Sequence, residues 1–208
     1  MNKNAKILLI AYPYAAGGRF LLRCTELDDR VGTNVIADAQ ADHYCNIMQG
    51  RKECHFYAED PMWDIASDLP YKDFYAFQIH PYGIDGYTLL DSYRDITLVA
   101  ITCCTDTSAR WLQQRRNYLE EPEIPKYELD QNGKLDIKFS WFDRMVQRIK
   151  PNKTLQLEIE DYWTPSKAPA LIESVWTTLG LEPRGWEKFY HAWYTNAIEP
   201  VIKNCATQ

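Results

Sequence analysis

The sequence predicts an α/β protein with three layers, helices packed on both faces of a mostly parallel sheet. Three observations predict it. Four short apolar runs, at residues 6–12, 74–80, 95–102 and 154–159, read as strands. Three of them are almost continuously apolar, as expected of strands covered on both faces. Helical patterns fall between and after them, and such alternation marks a parallel sheet with crossover helices.

The elements follow in chain order. The first strand (KILLIAY) ends at Pro13, and a helix over 18–28 follows. Short helices are expected at 61–68 and 84–93, on either side of the second strand (FYAFQIH). The third strand (DITLVAIT) leads into a helix over 106–120, the clearest of the middle ones. A further helix over 140–149 begins at Ser140, a plausible cap. After the fourth strand (TLQLEI) comes a helix over 166–179, bounded by Pro165 and Gly180. The last helix is expected over 187–203, with Pro200 bending or ending it. Residues 122–138 break the pattern. Asn132-Gly133 sits there between short alternating runs, which is a hairpin signal. We read it as an insertion beside the sheet, either a lid or a plain surface hairpin. Residues 1–208 otherwise read as one domain, long enough to bury a sizeable core.

Composition narrows the function classes. Net charge is −6 and the sequence pI is about 5.3. A whole-surface attraction to nucleic acid or to an anionic membrane is therefore not expected, and an anionic ligand needs a local cluster of donors. No apolar run is long enough to span a bilayer. The short run after the first lysines is too brief for a secretory core and reads as a buried strand. The six cysteines (Cys24, Cys45, Cys54, Cys103, Cys104 and Cys205) form no visible disulfide framework. Reduced thiols and a cytoplasmic location are expected.

The chemistry is concentrated after the first strand, in PYAAGGRFLL. Small residues at Ala15, Ala16, Gly17 and Gly18 let backbone N–H groups approach an anion, and the following helix adds the positive end of its dipole. Against the phosphate-loop pattern G-x-x-x-x-G-K-[ST], Pro13 stands for the first Gly, Arg19 for the Lys and Phe20 for the Ser or Thr. Arg19 keeps a permanent charge and a bidentate fork for phosphate or sulfate. Phe20 cannot ligate magnesium, which disfavours a nucleoside triphosphatase or kinase and leaves room for metal-independent group transfer. A strand–turn–helix connection whose glycines serve only packing is the bland reading of the same residues.

Three segments together resemble the sulfotransferases that use 3′-phosphoadenosine 5′-phosphosulfate. YPYAAGGRFLL looks like the family's 5′-phosphosulfate loop. AFQIHPYGIDGYTLL, followed by DITLVAIT, is similar to the strand ending in Thr-His and the strand that leads to the 3′-phosphate site. LQLEIEDYW and LIESVWTTLGLE look like the family's late strand and following helix. The resemblance implies a phosphate-loop fold, 3′-phosphoadenosine 5′-phosphosulfate as donor, no metal, and a small-molecule or glycan acceptor. It implies that Arg19 and the backbone from Ala16 to Phe20 hold the 5′-phosphosulfate. Tyr14 is the residue nearest in register to a loop Lys that this chain lacks. His80 matches the family's catalytic base, and an imidazole suits that role near neutral pH. At the 3′-phosphate site the family's Arg and Ser positions hold Thr102 and Arg110, with Ser108 as a nearby hydroxyl. Arg115 and Arg116, further along the same helix, are expected to be solvated.

Other clusters are weaker. His43, Cys45, Cys54 and His55 suit zinc by type but not by spacing. Cys103-Cys104 follows a buried strand and is expected to pack. Glu160-Asp161 is expected to cap or pair locally, and Trp186, Tyr190, Trp193 and Tyr194 read as a packing stripe. Three functions remain open: sulfuryl transfer, a magnesium-dependent nucleotide or nucleoside kinase, and a catalytically inactive nucleotide-binding relative. The acceptor and the oligomeric state are not legible.

Overall fold

The structure, a computed structural model, describes residues 4–33, 72–79, 94–119, 129, 131–133 and 140–207. The described sheet has five parallel strands: β1 (Lys6–Ala11), β2 (Val31–Thr33), β3 (Phe74–Ile79), β4 (Ile96–Thr102) and β5 (Lys153–Glu158). Their order is β2-β3-β1-β4-β5. The described helices are α1 (Gly18–Thr25), α2 (Asp106–Tyr118), α3 (Ser140–Ile149), α4 (Ile159–Tyr162), α5 (Ala168–Leu179), α6 (Trp186–Trp193) and α7 (Glu199–Ala206), with a π-helix at Tyr194–Ile198. This is an α/β fold built on a parallel sheet, in which a loop of small residues follows the central strand β1.

Burial explains the order. β1 and β4 are the most apolar runs and take the middle of the sheet: residues 7–11 and 96–102 are buried without a break. Leu8 lies in register with Ala76 on one side and Thr97 on the other. β5 (KTLQLE) alternates polar and apolar residues, and it sits at an edge with one face open. β2, only three residues long, is the other edge. Its brevity hides it from periodicity. It is fixed instead by a polar lock: Asp28 accepts from the Arg30 guanidinium (2.6 Å) and from the Glu182 N–H (2.8 Å) beyond α5. Those bonds, Arg30 foremost, hold the Asp28 carboxyl well below the usual carboxylate range.

Connections leave the carboxyl ends of β1 and β4 in opposite directions, toward β2 and toward β5. With right-handed crossovers, α1 and α2 fall on opposite faces, and the crevice between β1 and β4 becomes the topological switch point where such folds bind ligands. The C-terminal run closes over this end: α6 packs on α1, and α7 packs on α2. The expected last helix over 187–203 is three pieces, because the π-helix interrupts it after Trp193 and Pro200 falls in the first turn of α7. Pro200 has no N–H to donate back into the preceding turn, and the π-helix ends two residues before it. The expected helices at 61–68 and 84–93 lie outside the described residues. Of residues 122–138, Leu129 forms an isolated bridge and 131–133 a turn with Gly133 at φ 74°; the rest lie outside.

Candidate functional site

The loop after β1 is shaped by local constraints. Pro13 follows the strand, and its carbonyl accepts from the Ala16 N–H at 3.0 Å, closing a turn. Ala15 is held at φ 69°, a left-handed conformation that costs a residue with a Cβ about 1–2 kcal/mol. Gly17 follows at φ 89°. A Cβ on Gly17 would lie 2.5 Å from Cζ2 of Trp193, and one on Gly18 would lie 1.9 Å from the Tyr12 ring. The small residues are required by close approach as well as by backbone angle.

Three side chains hold the loop by its carbonyls. Arg116 Nη2 donates to Tyr14 O at 3.2 Å, Trp163 Nε1 to Ala16 O at 3.2 Å, and Tyr162 Oη to Gly17 O at 3.1 Å. Burial pushes the Tyr162 phenol well above its ordinary pKa, so it remains a donor. The carbonyls therefore turn into the protein. Gly17 is the N-cap of α1, and among the described residues no side chain caps that terminus; the first turn carries no acidic residue. The first helical bond runs from Leu21 N to Gly17 O at 3.3 Å. The N–H groups of Gly18, Arg19 and Phe20 precede it and have no acceptor within the helix. Ala15, Ala16, Gly17 and Gly18 are buried, while Tyr14 and Arg19 are half-buried and bring the two ends of the loop toward solvent.

Arg115 and Arg116 are not solvated: both are 0% exposed. Ser108, Leu112, Arg115 and Arg116 are the buried residues of α2, spaced i, i+4, i+7 and i+8. That is one face of a helix, so the two arginines occupy core positions. The Arg115 guanidinium lies 5.4 Å from the ring of Trp163 and 5.4 Å from that of Trp193, a cation–π sandwich that offsets part of its desolvation. Burial lowers its pKa to about 9, which leaves it charged at neutral pH. Phe20 is fully buried and stacks on Trp193 at 4.3 Å with the rings nearly parallel. The position that carries a metal-binding hydroxyl in the phosphate-loop pattern is here part of the core.

The residues expected around the 3′-phosphate are differently placed. Thr102 is buried, and its hydroxyl donates to Glu158 Oε2 at 2.9 Å. The Cys104 N–H also donates to the Glu158 carboxylate, at 3.0 Å. Ser108 is fully buried and completes a capping box with Thr105: Ser108 N–H donates to Thr105 Oγ1 (3.0 Å), and Thr105 N–H to Ser108 Oγ (3.1 Å). Thr105 Oγ1 also donates to Glu160. Arg110 is exposed. The end of β4 thus gathers Thr102, Thr105, Ser108 and two carboxylates, and leaves Arg110 at the surface. Burial pushes the Cys103 thiol up to about 12, consistent with a packing role. Asp161 pairs with Lys167 at 2.5 Å, and Trp186, Tyr190 and Trp193 are buried while Tyr194 is half-buried. His80, His43, Cys45, Cys54 and His55 lie outside the described residues.

Sequence reasoning missed Arg116, Tyr162 and Trp163 as loop anchors. The α2 stripe was a usable signal for the arginine, and two adjacent large aromatics just past a strand end for the others. No family model matches the chain, and no curated protein matches its sequence. Among solved structures the chain is similar to an unliganded sugar kinase from Janibacter sp. HTCC2649, at 10% identity and a TM-score of 0.39, over 86% of this chain and 96% of that one. At that score the likeness carries no argument about the site. Among the described residues, no helix is long and apolar enough to cross a membrane.

Proposed function

We propose that this protein is a nucleotide-dependent group-transfer enzyme that moves a sulfuryl group from 3′-phosphoadenosine 5′-phosphosulfate to an acceptor hydroxyl or amine. The observation that carries the reading is the uncapped start of α1, directly after the central strand, with the preceding carbonyls tied back by Tyr162, Trp163 and Arg116. That arrangement presents donors and a helix dipole to an anion. Phe20, sequestered against Trp193, favours a donor that needs no magnesium over a nucleoside triphosphate.

In the proposed step the acceptor oxygen or nitrogen attacks sulfur in line with the bridging oxygen. The new bond to sulfur forms as the sulfur–bridging oxygen bond breaks. Charge develops on the departing 5′-phosphate, where Arg19 and the N–H groups of α1 stabilise it. His80 takes the acceptor's proton. It follows Ile79, the last residue of β3, whose register partner is Ala11 at the end of β1.

Calorimetry of the full chain with adenosine 3′,5′-bisphosphate, with and without magnesium, tests this directly. Binding that does not need magnesium is expected. ATP binding that appears only with magnesium would replace the proposal with a kinase. Binding of neither nucleotide would leave a fold without the activity. His80→Ala should abolish turnover and leave nucleotide binding intact.

A further inference from the structure

We propose that Tyr162 and Trp163 are the positioning pair of the loop after β1: each takes one loop carbonyl and thereby turns the next N–H group toward a bound oxyanion. The inference rests on the reading of that loop as an anion site and names what orients its donors.

A trans peptide holds its C=O and the following N–H on opposite sides of the chain, and among the described residues no peptide bond is cis. Trp163 Nε1 donates to the Ala16 carbonyl at 3.2 Å, so the Gly17 N–H points away from the indole. Tyr162 Oη donates to the Gly17 carbonyl at 3.1 Å, so the Gly18 N–H points away from the phenol. Tyr162 ends α4 and Trp163 is its C-cap. Two adjacent side chains thus fix two adjacent peptide planes, 145 and 147 residues earlier in the chain. The Ala16 N–H is used differently, donating to the Pro13 carbonyl at 3.0 Å.

The two N–H groups turned this way are the second observation. Gly17 and Gly18 are both buried, yet among the described residues neither N–H has an acceptor. Buried backbone N–H groups are almost always bonded, and an orphan costs free energy comparable to a lost hydrogen bond. Left-handed Gly17 (φ 89°) followed by the helical start at Gly18 makes a concave run of N–H groups, a shape that binds anions. A tetrahedral oxyanion seated there accepts from both. The Gly17 carbonyl also accepts from Leu21 N at 3.3 Å, so Tyr162 is not needed to satisfy it; what the phenol adds is orientation. Both rings are fully buried. Trp163 stacks on Trp111 at 6.3 Å, and Tyr162 lies 5.5 Å from Trp193. The packing fixes the donors before a ligand arrives, which spares the ligand the cost of ordering the loop.

Inorganic pyrophosphate is titrated calorimetrically into the full-length wild type and into Tyr162→Phe, Trp163→Phe and Tyr190→Phe. Folding is checked by thermal unfolding, and the Gly17 and Gly18 amides are followed in 1H–15N spectra. Tyr190→Phe is the control: it removes a buried phenol from the same aromatic cluster, one that donates to the Tyr162 carbonyl at 3.4 Å and not to the loop. Tyr162→Phe and Trp163→Phe should each weaken binding about fivefold, the scale of one hydrogen bond. Tyr190→Phe should leave affinity unchanged at a comparable loss of thermal stability. In the wild type, saturation should move both glycine amides downfield. The Gly18 shift should shrink in Tyr162→Phe and the Gly17 shift in Trp163→Phe. Wild-type affinity in folded Tyr162→Phe and Trp163→Phe overturns the proposal, as does an equal loss in Tyr190→Phe; either result leaves the loop as an anion site. Saturable binding that leaves both glycine amides unmoved in the wild type also overturns it, whether or not the variants fold. If one variant does not fold, the other decides on the same terms. A wild type that does not bind pyrophosphate removes both the positioning role and the anion site.

Discussion

Two strand ends border the same crevice, and they are prepared in opposite ways. After β1 the carbonyls are consumed: Arg116, Trp163 and Tyr162 each donate to one, and among the described residues the α1 terminus has no side-chain cap. After β4 the donors are consumed: Thr102 and the Cys104 N–H go to Glu158, Thr105 goes to Glu160, and a capping box closes the start of α2. One end offers N–H groups backed by buried cationic side chains. The other offers carboxylates. Two helix N-termini a few residues past neighbouring strands are thus not equivalent, because what decides their affinity for an anion is whether the chain has already satisfied their donors.

The sharpest way to break this contrast is to disturb the packing that clamps the first loop. Gly17→Ala adds a Cβ at φ 89°, 2.5 Å from a fully buried indole carbon. Backbone strain and overpacking together should cost about 3 kcal/mol, read as a lower denaturant midpoint at unchanged slope. Gly180→Ala is the reference. It has a similar φ of 68° with no described residue within 4 Å of the added carbon, so it should cost only about 1 kcal/mol, the backbone part. Equal losses at the two glycines would mean that Trp193 yields freely and that the loop is not held as described.

How much of this was legible in the sequence follows from what each residue's role depends on. The central strands were readable because burial on both faces leaves a continuous apolar run, as in KILLIA and ITLVAIT. β2 was not, because three residues carry no period and an Asp28–Arg30–Glu182 lock fixes them from a distance. The loop after β1 was picked out by its small residues after a strand, but its anchors were not, since Tyr162, Trp163 and Arg116 lie more than 100 residues away in the chain. Arginine is seldom a core residue, and that prior outweighed the i, i+4, i+7, i+8 stripe of α2. Hydroxyls at Thr102 and Ser108 looked available because sequence shows donors without showing who already uses them.

A smaller effect is expected at the second helix start. Thr105→Ala removes the acceptor for the Ser108 N–H and opens the capping box. The loss should be about 1 kcal/mol of stability, measured by thermal or denaturant unfolding. Pyrophosphate affinity should not change, because the cap lies at the β4 end and the loop's donors belong to α1. A parallel fall in affinity would mean that the two termini serve one site, and the contrast between them would dissolve.

The smallest effect is the most specific. Glu158 is half-buried and accepts from Thr102 and from the Cys104 N–H, so its charge sits where the 3′-phosphate of a bisphosphate nucleotide is expected. Like charges there oppose binding, and the partial exposure and salt weaken that opposition. Glu158→Gln keeps an oxygen acceptor for the same donors and removes the charge. At low salt the affinity for adenosine 3′,5′-bisphosphate should rise about threefold, roughly half of a tenfold step on a logarithmic scale. Pyrophosphate, which needs only the loop after β1, should bind as before. A gain shared equally by both ligands would place Glu158 within the field of the loop itself. No gain for either would mean that the nucleotide's 3′-phosphate never approaches the end of β4, and that the acidic end of the crevice serves α2 alone.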